Sequence, residues 1–219
     1  MKPPPANALD ARPSRQPPRR TYKAAPERRA EIVDATIAII AEQGLHAWKT
    51  AELARRVGVS EPTLFRHFRT KGEILTAAVR RETATIREMV SNYQGTGAAW
   101  EQAEGLVKRG LEFFEATGGG PLVILTGQVI RVSPTIRRDI LRTITAVHGR
   151  LTELFATALA EAGNPPGVEP AHVADLAMAI VQSSGLRWIM SDRAFPIQAR
   201  GRAMLGILKR AILGPGGEQ

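Results

Sequence analysis

The sequence predicts an all-α chain, and three observations carry that prediction. Apolar residues recur at three- and four-residue spacing through almost every segment between residues 26 and 213. Breaks rich in Gly and Pro separate those segments, as at Gly44, Gly58, Gly95 and Gly97, Gly118-Gly119-Gly120-Pro121 and Asn164-Pro165-Pro166-Gly167. No stretch shows a convincing period-two alternation, the mark of a half-buried strand. About nine helices are expected, three in an N-terminal unit and the rest in a larger helical unit.

Residues 1–24 are expected to be a disordered basic tail. Pro3, Pro4, Pro5, Pro13, Pro17 and Pro18 forbid a helix, and few apolar residues are available to pack. Arg12, Arg15, Arg19, Arg20 and Lys23 make it cationic. It reads either as an arm along nucleic-acid phosphates or as a solubilising tail.

The first helix is expected from Pro26 to Gln43, where Gly44 stops it. Ile32, Val33, Thr36, Ile37 and Ile40 form its buried stripe. Two short helices follow within residues 49–68. Thr50 is the expected cap of the first, whose apolar face is Leu53, Ala54 and Val57. Gly58 ends it, because glycine enters the left-handed region cheaply. Ser60 caps the second, with Glu61 and Pro62 in its first turn. Leu64, Phe65 and Phe68 are expected to anchor that helix. Ser60, Glu61, Thr63, Arg66 and His67 then face outward. A short helix, a turn containing Gly and a polar second helix are the parts of a DNA-reading helix-turn-helix. The charge distribution agrees. The net charge is +9, and residues 1–75 hold 14 basic and 8 acidic side chains against 16 and 13 in the remainder. A phosphate-binding half needs that excess.

Residues 28–75 also resemble a known family. Gly44, then Leu53-Ala54, Val57-Gly58-Val59-Ser60, Thr63-Leu64-Phe65, His67-Phe68 and Lys71 are similar to the N-terminal domain of the TetR family of transcriptional regulators. The resemblance implies a homodimer, with a three-helix DNA-binding domain and a larger helical domain that takes a small effector. It implies that Thr63 lies in the recognition helix, that His67 contacts phosphate, and that Lys71 does so from the start of the fourth helix. Three positions depart from the pattern. Phe65 stands where the family usually has Tyr and so lacks the hydroxyl. Pro62 replaces the commoner Gly. Trp48 and Lys49 stand where Ser or Thr often begins the second helix. The candidate DNA-binding set is Thr50, Ser60, Glu61, Thr63, Phe65, Arg66, His67 and Lys71.

From Glu73 the chain reads as helices to its end. They are expected at Glu73 to Tyr93, Ala98 to Thr117, Leu122 to Val132, Pro134 to Gly163, Pro170 to Asp192 and Pro196 to Leu213. The expected organisation is a tail at 1–24, the helix-turn-helix domain at 25–72, an effector and dimer domain at 73–213 and a short tail at 214–219. Effector-pocket candidates are Trp100, Phe113, Phe114 and Ile124 as walls, with Thr126, Gln128 and His148 as polar handles. The same residues would also serve as plain bundle core. The last two helices are the expected dimer interface, through Val173, Ala177, Ile180, Val181, Ser184 and Trp188 on one and Ile197, Leu205, Leu208 and Ile212 on the other.

The composition narrows the function. There is no Cys, which removes disulfides, thiolate zinc sites and thiol catalysis and suits a reducing cytoplasm. His46, His67, His148 and His172 form no His-Glu-x-x-His, and no Gly-x-Ser-x-Gly occurs. Glu101 and Glu104 read as a solvated helix face. No enzyme, cofactor, metal or membrane partner is expected. The expected partners are double-stranded DNA with a palindromic operator, a small hydrophobic effector and a second copy of the chain. A helical carrier with a relic helix-turn-helix, and an activator in place of a repressor, are the alternatives.

Overall fold

The computed structural model describes residues 24–119 and 133–214. Among these are eight helices and no strand: α1 (Ala25–Gln43), α2 (Thr50–Val57), α3 (Glu61–His67), α4 (Lys71–Ser91), α5 (Ala99–Ala116), α6 (Pro134–Glu161), α7 (Pro170–Met190) and α8 (Ile197–Leu213). The helix expected at 122–132, the two terminal tails and the candidates Ile124, Thr126 and Gln128 lie outside the described residues, apart from residues 24 and 214.

Local chemistry sets the boundaries. Gly58 ends α2 in the left-handed region, with φ of 70° and ψ of 34°. Thr70 caps α4 by accepting a hydrogen bond from the Glu73 amide (3.1 Å), and the Glu73 carboxylate accepts from the Arg69 amide (2.8 Å). This reciprocal arrangement is close to a capping box and starts α4 two residues before the expected Glu73. The cap of α2 also differs from expectation. Lys49 occupies that position without a side-chain bond, and Thr50 is the first helical residue.

Two hydrophobic clusters hold the chain together. The first joins Ile32, Ile39 and Ile40 of α1 to Leu53 and Leu64 of the short helices and to Ile74, Leu75, Ala78 and Val79 of α4, with Ile136 and Ile140 of α6 closing it. The second packs α5, α6, α7 and α8, with Trp100 edge-on to Phe155 (centroids 5.1 Å apart). Helix α4 belongs to both, because its first half lies in the first cluster and Val90 lies in the second. The boundary expected at 72/73 therefore falls inside α4. Of the residues expected inside this helix, Ile86 and Met89 are only half-buried, because they border a cavity.

Candidate nucleic-acid interface and effector cavity

Helices α2 and α3 stand on α1 with only their inner faces covered. Leu53, Leu64, Trp48 and Phe68 are at most 2% exposed. Arg29 fastens the end of α3. Its guanidinium stacks over the Phe68 ring (4.0 Å) and donates to the His67 carbonyl oxygen. Arg28 adds a hydrogen bond to the Val57 carbonyl oxygen (3.3 Å) and an ion pair with Glu31 (2.6 Å).

The outward face of α3 carries Pro62, Phe65 and Arg66. Arg66 has no hydrogen-bond or ionic partner among the described residues, so its guanidinium is available to a base edge or phosphate. Arg55 and Arg56, by contrast, are engaged on the protein. They pair with Glu52 (2.7 Å) and Glu42 (2.6 Å). The bonds from Arg55 and Arg56 hold the Glu52 and Glu42 carboxyls below their ordinary range.

Several expected contacts take a different form. Phe65 is no anchor. It is 41% exposed, because one helical step from buried Leu64 turns it to solvent. Ser60 caps α3 by position alone, since its hydroxyl bonds to the Thr63 hydroxyl (2.9 Å) and not to an amide. Lys71 folds back over α2's entrance. Its Nζ donates to the Trp48 carbonyl oxygen (3.1 Å) and sits 4.7 Å from the Trp48 ring centre. Sequence reading missed this pairing, as it missed Arg29. Both are bonds between residues far apart in the chain.

A cavity of about 110 Å³ lies between α4, α5, α6 and α7. Phe113 and Phe114 line it, together with Ile86, Met89, Leu106 and Met178. Trp100 and His148 do not. The Trp100 indole donates to Glu104 one turn away (2.9 Å), which also takes Glu104 out of the purely solvated face expected of it. His148 Nε2 lies 3.3 Å from both the Ala171 carbonyl oxygen and Asp175, tying α6 to the start of α7. The wall hydroxyls are spent internally. Thr83 donates to the Val79 carbonyl oxygen (2.8 Å), and Thr143 donates to the Asp139 carbonyl oxygen (2.9 Å) while accepting from Arg87 (2.7 Å).

The expected dimer residues lie inside the single chain or pack against its core. Val173, Ala177, Ile180, Ser184, Trp188, Ile197 and Leu205 are all at most 7% exposed within a single chain. Val181, Leu208 and Ile212 pack partly against the same core. This stripe serves intrachain packing. The apolar residues left outside are Leu176 (51% exposed), Leu186 (49%) and Met190 (77%) on α7, and Ile207 (60%) on α8.

Residues 32–78 match the model of bacterial regulatory proteins of the tetR family. The chain is 21% identical to the fatty acid metabolism regulator protein of Bacillus subtilis over 184 residues, covering 83% of this chain and 94% of that one. It is 40% identical over 65 residues to the HTH-type transcriptional regulator BetI of Escherichia coli, a match spanning 30% of this chain and 33% of BetI. Its fold is similar to that of the transcriptional regulator FadR from Bacillus subtilis in complex with stearoyl-CoA, with a TM-score of 0.67 at 17% identity over 84% of this chain and 98% of that one. Residues 32–78, which hold the exposed recognition-type helix, are thus an N-terminal unit of the tetR family of bacterial regulatory proteins, carried on an all-helical body similar in fold to FadR.

Proposed function

We propose that the protein is a homodimeric, cytoplasmic repressor that leaves a palindromic operator when a small hydrophobic effector binds. It acts by binding and not by turnover. The observation that carries this reading is α4, which is built into the core of the helix-turn-helix at one end and into the wall of an apolar cavity at the other. A ligand that spreads the cavity shifts α4 and so moves α3. The similarity in fold to a regulator crystallised with stearoyl-CoA supports an apolar effector. Residues 25–72 serve as the DNA-reading unit and 73–213 as the effector and dimer unit.

On DNA, α3 enters the major groove. Glu61, Thr63, Phe65 and Arg66 face base edges, while Thr50, Ser60, His67 and Lys71 fix the register on phosphates. Lys71 must leave Trp48 to do so. A bidentate bond from Arg66 to guanine is worth about 1–3 kcal/mol of discrimination. Two copies then read half-sites about 34–36 Å apart or a multiple of that.

In-vitro selection from random duplex DNA tests the reading, followed by a salt series on the selected site. The expected result is a palindrome whose log affinity falls with log salt by about 0.9 for each phosphate neutralised. Arg66→Ala is expected to weaken binding by about tenfold or more and to relax one base position. Selection of no consensus, with salt-insensitive binding, would overturn the proposal and favour the carrier.

A further inference from the structure

We infer that the cavity continues into a subsite for an anionic head group, and that the effector is an alkyl chain ending in an oxyanion. The inference rests on the effector reading above. Inside the cavity the wall is apolar apart from Thr83, Thr143 and Gln182, and the hydroxyls of Thr83 and Thr143 have their protons committed to backbone carbonyls. Among the described residues, Gln182 at the α7 side supplies the wall's one uncommitted donor, and it is neutral, so most of the enclosed part of the ligand is hydrocarbon.

A negatively charged end has a cation to meet on the side of Arg87. A second cleft, of about 480 Å³ and open to solvent, abuts the cavity, and Val90 lines both. Arg87, Arg150, Ser91, Thr145 and Glu153 border it. Arg87 stands at the junction, because its Nη1 donates to the Thr143 hydroxyl in the cavity wall (2.7 Å). Among the described residues Arg87 has no carboxylate partner. Asp139, one turn before Thr143, is taken by Arg80 (3.2 Å). Glu153 is taken by Arg150 (3.0 Å) and is 69% exposed. The cleft's three charges sum to one positive charge, and the half-buried Arg87 supplies it.

A guanidinium held by one neutral hydroxyl gains most from a carboxylate or phosphate, which it binds through two parallel bonds. An alkyl chain in the cavity puts its terminal oxyanion at that fork. Arg87 then exchanges Thr143 for the ligand. Since Arg87 is on α4 and Thr143 on α6, the exchange opens the tie between those helices at the point where α4 leaves the cavity for the DNA-binding cluster.

The test is calorimetric binding of dodecanoate, dodecyl phosphate and dodecan-1-ol to the full-length protein below their micelle concentrations. Both anions are expected to bind about tenfold or more tighter than the alcohol. Arg87→Met is expected to erase the preference and leave alcohol binding unchanged, whereas Arg87→Lys keeps part of it. Val181→Trp, which fills the cavity, is expected to abolish all three. A preference for carboxylate over phosphate, or the reverse, identifies the head group. Equal binding of alcohol and anions to the unaltered protein overturns the head-group inference and leaves the hydrophobic-effector reading standing. An anion preference that survives Arg87→Met also overturns it. Binding of none of the three overturns both.

Discussion

Glu82 is the one carboxylate among the described residues that is both buried (7% exposed) and left with an oxygen lacking a hydrogen-bond partner. It lies on α4 beside α1. Burial raises its pKa, Arg81 opposes the rise and Asp34 reinforces it. A carboxyl with a raised folded pKa contributes stability that is whole below its unfolded pKa and lost as pH rises through the folded one. Glu82→Gln is therefore expected to stabilise the protein by about 1 kcal/mol near neutral pH. The gain is expected to vanish below the ordinary carboxylate range, as read by thermal melts across pH. A constant offset at every pH would show that the carboxyl is solvated. Nothing local in the sequence marks Glu82, since an acid on a charged helix reads as solvent-facing. Phe65 and Trp100 misled in the same way. Residue type identifies an apolar or aromatic side chain, but only the phase of its helix and its distant neighbours decide what it meets.

At the scale of elements, the sequence was most legible where chemistry is local. Gly44, Gly58 and the Pro-rich breaks placed the described helix ends within about two residues, because caps and breakers act over one turn. It was least legible on α7, which is apolar or small around most of its circumference. Val173, Ala177, Ile180, Ser184 and Trp188 make one stripe; Leu176, Leu186 and Met190 make another. Periodicity finds both and cannot rank them, and only the packing against α5, α6 and α8 selects the inner one. Gly201 shows how closely those helices meet. An added Cβ there would run into the Leu111 side chain of α5. Gly201→Ala is expected to cost about 1–3 kcal/mol by overpacking, measured as a lowered urea midpoint with an unchanged slope. Leu111→Ala in the same chain should recover part of that loss, and an absence of coupling would mean that α8 shifts freely.

Across the whole molecule, the outer stripe of α7 and Ile207 of α8 are the exposed apolar residues of the last two helices, and we propose that they pair two copies of the chain. One helix-turn-helix reads too few base pairs for useful specificity, and a two-fold pair doubles the site. Met190→Lys with Ile207→Lys is expected to yield monomers in sedimentation experiments and to lower operator affinity by about a hundredfold or more, with the melting temperature little changed at high protein dilution. Dimers that persist in this variant would move the interface elsewhere. The molecule also separates fixed charge from available charge. Arg55 and Arg56 pair within the protein, whereas Arg66 has no partner among the described residues.

The three tryptophans fall in three different neighbourhoods: Trp48 under the Lys71 ammonium, Trp100 against Phe155, and Trp188 beside Arg193 (5.4 Å). In the proposed DNA complex, Lys71 leaves the Trp48 ring for a phosphate and uncovers the indole. The chain thus carries its own fluorophore at the point where the proposed DNA complex moves Lys71. With no cysteine to compete, a thiol dye can be added at any chosen site, so operator and effector occupancy can be followed optically in one cuvette.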